Sequence, residues 1–185
     1  MDAGRRRVRP VDADALWPFI RDIPDFPQAG VTFRDITPLL GDAGAFRAAT
    51  ELLAAPFDAP ITKVVGIEAR GFILAAPIAL ALGAGFVPVR KPGKLPWDTH
   101  AHSYELEYGT DTLEVHRDAF TPDDRVLIVD DVLATGGTAT ATCRLVSDFF
   151  DATVVGVTFL LELTALGGRE RVAPLGHRIE SVLVV

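Results

Sequence analysis

Residues 126–140, VLIVDDVLATGGTAT, constrain this chain more than any other stretch. Arg125–Val129 reads as a strand without a polar face, so both of its faces need cover from other elements. On this reading Val129 ends the strand, and Asp130 and Asp131 stand at its carboxyl edge. Adjacent carboxylates need a partner there, either a cation or a set of ligand hydroxyls. The loop Ala134-Thr135-Gly136-Gly137-Thr138 then opens a helix expected over 137–150. Amides at a helix start, with the helix dipole behind them, favour an anion by roughly 0.3–2 kcal/mol per contact. Glycines let the backbone approach a ligand closely, and the two threonine hydroxyls add donors. The ligand this pattern asks for carries a phosphate close to a vicinal diol. A simple helix cap would account for Thr138, but not for the paired acids or the double glycine. The spacing matches neither a P-loop nor a dinucleotide fingerprint.

The surrounding chain supplies the cover that such a strand needs. Strands are expected at 63–67, 86–90, 125–129, 153–161 and 179–185. Helices are expected from about residue 12 or 14 to 22, from an Asp42 cap to near Pro56, over 71–82 and over 137–150, with a helical turn at 166–172. Pro24 and Pro27 enforce an extended segment between the first two helices. Strand–helix–strand alternation of this kind gives an α/β fold with a mostly parallel sheet and helices on both faces. Ligands in such sheets bind beyond the carboxyl ends of the strands. The loops at 68–71, 90–102, 130–138 and 162–168 are therefore the ones to inspect. Residues 91–102 read as a long mobile loop, followed by a short hairpin of 104–108 and 112–116 joined through Gly109.

Length and charge exclude several classes. The 185 residues suit one α/β domain. A net charge of −7 argues against a nucleic-acid surface as the main business. The single Cys143 allows neither an internal disulfide nor a cysteine metal cluster, and it is expected to be a small core residue. The apolar-rich stretch 71–89 is broken by Pro77, Gly83, Gly85 and Pro88, which argues against a membrane span. A cytoplasmic enzyme is the expectation.

VLIVDDVLATGGT closely resembles the phosphoribosyl-pyrophosphate signature of the type I phosphoribosyltransferases. FPQAGVTFRDITPLL (26–40), GIEARGF (66–72), RKPGKLP (90–96), YELEYGTDTLEVHRDAF (104–120) and LLELTALGGRERV (160–172) are similar to segments of the adenine phosphoribosyltransferases, in that family's order. The resemblance runs over about residues 17–180. It implies the type I phosphoribosyltransferase fold as a single domain, with a hood-forming segment at 1–40 and a flexible loop and hairpin at 91–117 acting as a lid. It implies transfer of the 5-phosphoribosyl group from 5-phosphoribosyl-1-pyrophosphate to adenine, giving AMP and pyrophosphate, in purine salvage.

The resemblance also distributes roles. Asp130 and Asp131 would contact the ribose hydroxyls, and Ala134, Thr135, Gly136, Gly137 and Thr138 would hold the 5-phosphate. Glu68, Ala69 and Arg70, with a cis peptide at Glu68–Ala69, would form the pyrophosphate loop, joined by Arg90, Lys91 and Lys94. Phe33 would stack on adenine, with Val31 to Arg34 reading its edge and Leu161 or Glu162 closing the other side. Spacing alone does not choose between Glu105 and Glu107 as the catalytic carboxyl; the family match chooses Glu107, with Tyr108 helping to cover the site. Mg²⁺ is the implied cofactor, carried mainly by the substrate, with at most a water-bridged link to Asp130 and Asp131. The implied partners are the two small-molecule substrates and a second copy of the chain in a homodimer, without nucleic acid or membrane. The competing readings are a 6-oxopurine or orotate enzyme of the same fold, and a non-catalytic regulator that senses the phosphoribosyl donor.

Overall fold

The computed structural model describes residues 12–105 and 109–185. Contacts divide the chain into two compact units, Met1–Leu52 and Leu53–Val185.

In the first unit the Asp12 carboxylate caps a 3-10 turn, Ala13–Phe19, by accepting from the Asp14 amide at 3.1 Å. The helix expected as far as residue 22 stops here. Residues Arg21–Ile23 (β1) instead pair antiparallel with Phe33–Asp35 (β2). Helix α1 is short, Thr37–Gly41. Asp42 then caps α2 (Ala43–Ala54) as expected, its Oδ1 accepting from the Ala45 amide at 2.8 Å.

The second unit is built on five parallel strands in the order β4-β3-β7-β8-β9. These are β3 (Lys63–Ile67), β4 (Gly85–Val89), β7 (Arg125–Leu133), β8 (Thr153–Glu162) and β9 (Arg178–Val184). Helix α3 (Arg70–Leu82) connects β3 to β4, and α4 (Gly137–Phe150) connects β7 to β8. The two crossovers move in opposite directions along the sheet. Right-handed connection therefore places α3 and α4 on opposite faces. The strand order reverses between β3 and β7, which leaves a crevice beyond their carboxyl ends.

Strands β3 and β7 bury nearly every side chain, as unbroken apolar runs require in a sheet covered on both faces. Val65, Val87, Ile128, Leu145, Val146 and Phe159 lie in one buried cluster that contains side chains from α4. On the α3 side, a methyl placed on Gly66 would sit 2.9 Å from the Ala75 Cβ, so strand and helix approach here without a side chain between them.

Two further expectations need correction. Strand β7 does not end at Val129. It continues to Leu133, because the long strand β8 keeps pairing with it as far as Leu133 opposite Glu162. The hairpin begins earlier than expected, with β5 (Thr99–Glu105) paired to β6 (Thr110–His116) over seven positions. The loop after β4 is correspondingly shorter. Leu113 and Val115 of β6 are fully buried in the α4-side core, which fixes the hairpin's base to the sheet. The remaining helical segments are Thr164–Leu166, α5 (Gly168–Val172) and Ala173–Leu175.

Candidate active site

The acids of the central strand lie at the topological crevice. Pairing between β3 and β7 reaches Gly66 opposite Val129 and goes no further. Asp130 and Asp131 thus have a strand neighbour only on the β8 side. Into the space left by β3 comes the 68–71 loop. A Cβ on Gly71 would lie 2.8 Å from Asp130 Oδ1 and 3.0 Å from the Val129 carbonyl oxygen, so only glycine permits this approach. Arg70, the neighbouring residue, places its Nε 2.5 Å from Asp131 Oδ2. The Glu68–Ala69 peptide is cis, as the sequence resemblance implied.

Burial and the adjacent Asp131 carboxylate push the Asp130 carboxyl well above the ordinary carboxylate range. A ligand presenting hydroxyl donors or a cation at this edge would relieve that cost.

Five residues beyond Asp131, Gly136 turns the chain at φ +75° and α4 starts at Gly137. Asp130, Val132, Ala134, Thr135, Gly136 and Thr138 line one pocket at this turn. Thr138 lies 3.3 Å from the Tyr104 hydroxyl, and the Tyr104 ring covers Gly137 at 2.9 Å from where a Cβ would be. The hairpin thus shields the helix start from one side.

The cations gather on the other wall. The Arg90 guanidinium bonds both Glu68 carboxylate oxygens, at 3.0 and 3.2 Å, and lies over the Phe72 ring. These bonds, outweighing partial burial, hold the Glu68 carboxyl below its usual range. Arg90 also donates to the Lys94 carbonyl at 3.1 Å, drawing the 90–94 turn together. The Lys91 amide donates to Glu68 and its ammonium bonds Asp111, both at 3.0 Å. Glu68, Arg90, Lys91 and the Lys94 backbone are therefore joined by hydrogen bonds, while Arg70 pairs with Asp131.

Other expected residues fare differently. Glu107 and Tyr108 lie outside the described residues. Leu161 is wholly buried in β8 and offers no surface to a ligand, while its neighbour Glu162 is engaged by Arg169. Within the first unit Phe33 packs edge-on against Phe26, with ring centres 5.4 Å apart, and Arg34 pairs with Asp22. The Val31 amide and carbonyl both take part in turn hydrogen bonds, to Gln28 and from Phe26. Trp97 is exposed, and His100 stacks on Phe149 with ring centres 4.4 Å apart.

Sequence reasoning missed Tyr104, Asp111 and the Glu162–Arg169 pair. For the pair a signal existed, since Gly167-Gly168-Arg169 joins a double glycine to a cation. Its significance depends on which strand end faces that turn, and spacing does not reveal this.

The phosphoribosyl transferase domain family matches residues 36–165. The adenine phosphoribosyltransferase of Acidothermus cellulolyticus is 61% identical over 153 residues, which is 82% of this chain and 86% of that protein. The crystal structure of the Rhodothermus marinus adenine phosphoribosyltransferase superposes with a TM-score of 0.89 at 55% identity, covering 96% of this chain and 100% of that one. The Saccharomyces cerevisiae enzyme, complexed with an imino-altritol bisphosphate and adenine, superposes with a TM-score of 0.86 at 37% identity, covering 92% and 98%.

Proposed function

Because this chain belongs to the adenine phosphoribosyltransferase family, we infer that its crevice between β3 and β7 is where 5-phosphoribosyl-1-pyrophosphate and adenine become AMP and pyrophosphate. The observation that carries the assignment to this crevice is the sequence of groups along it: paired acids, a glycine turn opening a helix, and a facing cluster of cations.

In this reading the amides and hydroxyls of 135–138 bind the 5-phosphate at the start of α4. Asp130 and Asp131 accept from the ribose hydroxyls. Arg70, Arg90, Lys91 and Lys94, with amides of the 68–71 loop, bind the diphosphate. As the bond from C1′ to the diphosphate oxygen breaks, positive charge builds on the sugar ring, and nearby carboxylates and the departing diphosphate offset it. The purine N9 closes on C1′. Glu107 holds the base at N7 and exchanges the proton that the ring must lose, a contribution typically worth about 10²–10⁴-fold. Phe33 supplies a flat apolar face, with the 31–34 backbone reading the 6-amino edge. Hypoxanthine reverses donor and acceptor at that edge, so fixed backbone groups would be left unpaired against it.

Mg²⁺ prefers hard oxygen ligands and keeps several waters. Among the described residues no group of three or more histidine, cysteine or carboxylate side chains gathers to hold a metal. Asp130 and Asp131 alone fit an ion carried mainly by the substrate, whose charge would offset that of the diphosphate. The loop and hairpin at 91–117 are proposed to act as a lid that limits hydrolysis of the donor. A cytoplasmic homodimer is the state proposed for the working enzyme. No helix among the described residues is long and apolar enough to cross a membrane.

The test is a product assay with the donor, Mg²⁺ and each of adenine, hypoxanthine, guanine and xanthine. AMP from adenine, with the 6-oxopurines inert or far slower, is the expected result. Comparable turnover of hypoxanthine would favour the 6-oxopurine reading, and donor binding without any nucleotide product would favour the regulator.

A further inference from the structure

The 134–138 loop rests on a turn to which the reaction above gives no role. A Cβ on Gly168 would lie 2.2 Å from the Ala134 carbonyl oxygen and 2.9 Å from a Leu133 methyl. A Cβ on Gly136 would lie 2.5 Å from the Gly168 carbonyl oxygen. The two backbones therefore touch directly at the point where the glycine turn is made.

Gly168 is held from its next residue. Arg169 Nε and Nη2 donate to the two Glu162 carboxylate oxygens at 2.8 and 2.6 Å. The same guanidinium donates to the Ile179 carbonyl at 3.1 Å and to Ser181 Oγ at 3.3 Å. Glu162 is buried, and its own place is fixed because it sits opposite Leu133 in the β7–β8 register, one residue before Ala134. The Leu163 amide closes the same corner on the Leu133 carbonyl at 2.9 Å. A short circuit results: Leu133, Glu162, Arg169, Gly168 and Ala134.

We propose that Arg169 is a positioning residue for the 5-phosphate: locked on Glu162, it holds Gly168 beneath the Ala134–Gly136 backbone and so fixes the amides that receive the anion. This rests on the site assignment above and deepens it. The chemistry of the pair suits that role. A buried ion pair gains little stability over apolar residues of similar size, but a forked guanidinium on a carboxylate fixes direction as well as distance. Arg171, on the same helix, donates to the Glu105 carbonyl at 3.1 Å, so α5 also braces the hairpin strand that leads to Glu107.

Arg169→Lys keeps the charge and loses the fork. Gly168→Ala keeps the pair and pushes a methyl against Ala134. Ser181→Ala removes a single contact of Arg169 and is the mildest of the three. Each variant would be titrated as the full chain with ribose 5-phosphate and, separately, with inorganic pyrophosphate, its fold checked by circular dichroism. The first two should bind ribose 5-phosphate about tenfold or more weakly, since small misplacements at a binding site cost on that scale. Pyrophosphate affinity should stay within about twofold, as for sites without shared partners. Ser181→Ala should shift ribose 5-phosphate affinity in the same direction by less, and it keeps the test readable if the others fail to fold. In steady state KM for the phosphoribosyl donor should rise with little change in kcat, the pattern of lost ground-state binding. Equal weakening of both anions, or folded variants with unchanged ribose 5-phosphate affinity, would overturn the proposal. The titration needs no turnover, so a wild-type chain that binds ribose 5-phosphate yet makes no AMP would count against the functional reading and not against this one.

Discussion

Lys91 Nζ and Asp111 Oδ2 stand 3.0 Å apart, joining the loop after β4 to the second strand of the hairpin. Hydrogen bonding to Asp111 raises the pKa of Lys91. Arg90 is held on Glu68 and Arg70 on Asp131 in the same manner. Three of the cations proposed for the diphosphate are therefore already matched to carboxylates. Binding becomes an exchange of partners rather than a capture by bare charges. The exchange is feasible because partly exposed ion pairs are typically worth only about 0–1 kcal/mol.

Asp111→Asn removes one of those competing carboxylates. Lys91 would meet the diphosphate without first breaking a bond. Pyrophosphate should bind about two- to fivefold more tightly, the equivalent of one exposed pair. Isothermal titration at constant Mg²⁺ reads this directly, and weaker binding would show that Asp111 supports the site instead of competing with it.

Glu107→Gln should lower turnover by about 10²–10⁴-fold, the usual range for lost proton transfer. Affinity for the phosphoribosyl donor should be nearly unchanged, because the residue is proposed to act on the purine. Single-turnover kinetics separate the two effects. Full activity in this variant would move the proton exchange to another group.

Arg169 hydrogen bonds, against the opposing effect of burial, hold the Glu162 carboxyl below its ordinary value of 4.5. A depressed folded-state pKa means that the ionised form favours the fold. That contribution is complete above 4.5 and is lost as pH falls through the lower folded-state value. Glu162→Gln should therefore be destabilised near neutral pH, by about 1–3 kcal/mol because a buried charged bond is weakened while Arg169 keeps some water contact. The gap to wild type should narrow as the pH is taken below 4.5. Thermal melts over an acidic to neutral series test this, and a gap independent of pH would remove the ion pair as its cause.

Burial pushes the Cys143 thiol up to about 12. The thiolate is the reactive species, so the native chain should resist thiol reagents at neutral pH and react fully once unfolded. Rapid labelling of the folded protein would contradict the burial of this face of α4.

Much of the fold was legible because its signals are local. The apolar runs at 63–67 and 126–129 and the Asp42 cap each mark their own element. Other features depend on distant partners. The extension of β7 to Leu133 follows from the length of β8, and the early start of β5 follows from seven cross-strand pairs with β6. The Thr135–Thr138 turn and the basic residues at 90–94 could be read as motifs. Their ionic partners Glu68 and Asp111, and the brace beneath Gly136, could not, because those contacts join residues far apart in sequence. The first helix was overextended because its aspartate cap marks where it starts, whereas its end is set by the pairing of β1 with β2.

The most direct measurement is a crystal structure with AMP bound. The phosphate is expected on the amides of 135–138, with the ribose hydroxyls turned to Asp130 and Asp131. A nucleotide whose phosphate sits on Arg90 and Lys91, or anywhere away from the start of α4, would contradict the assignment.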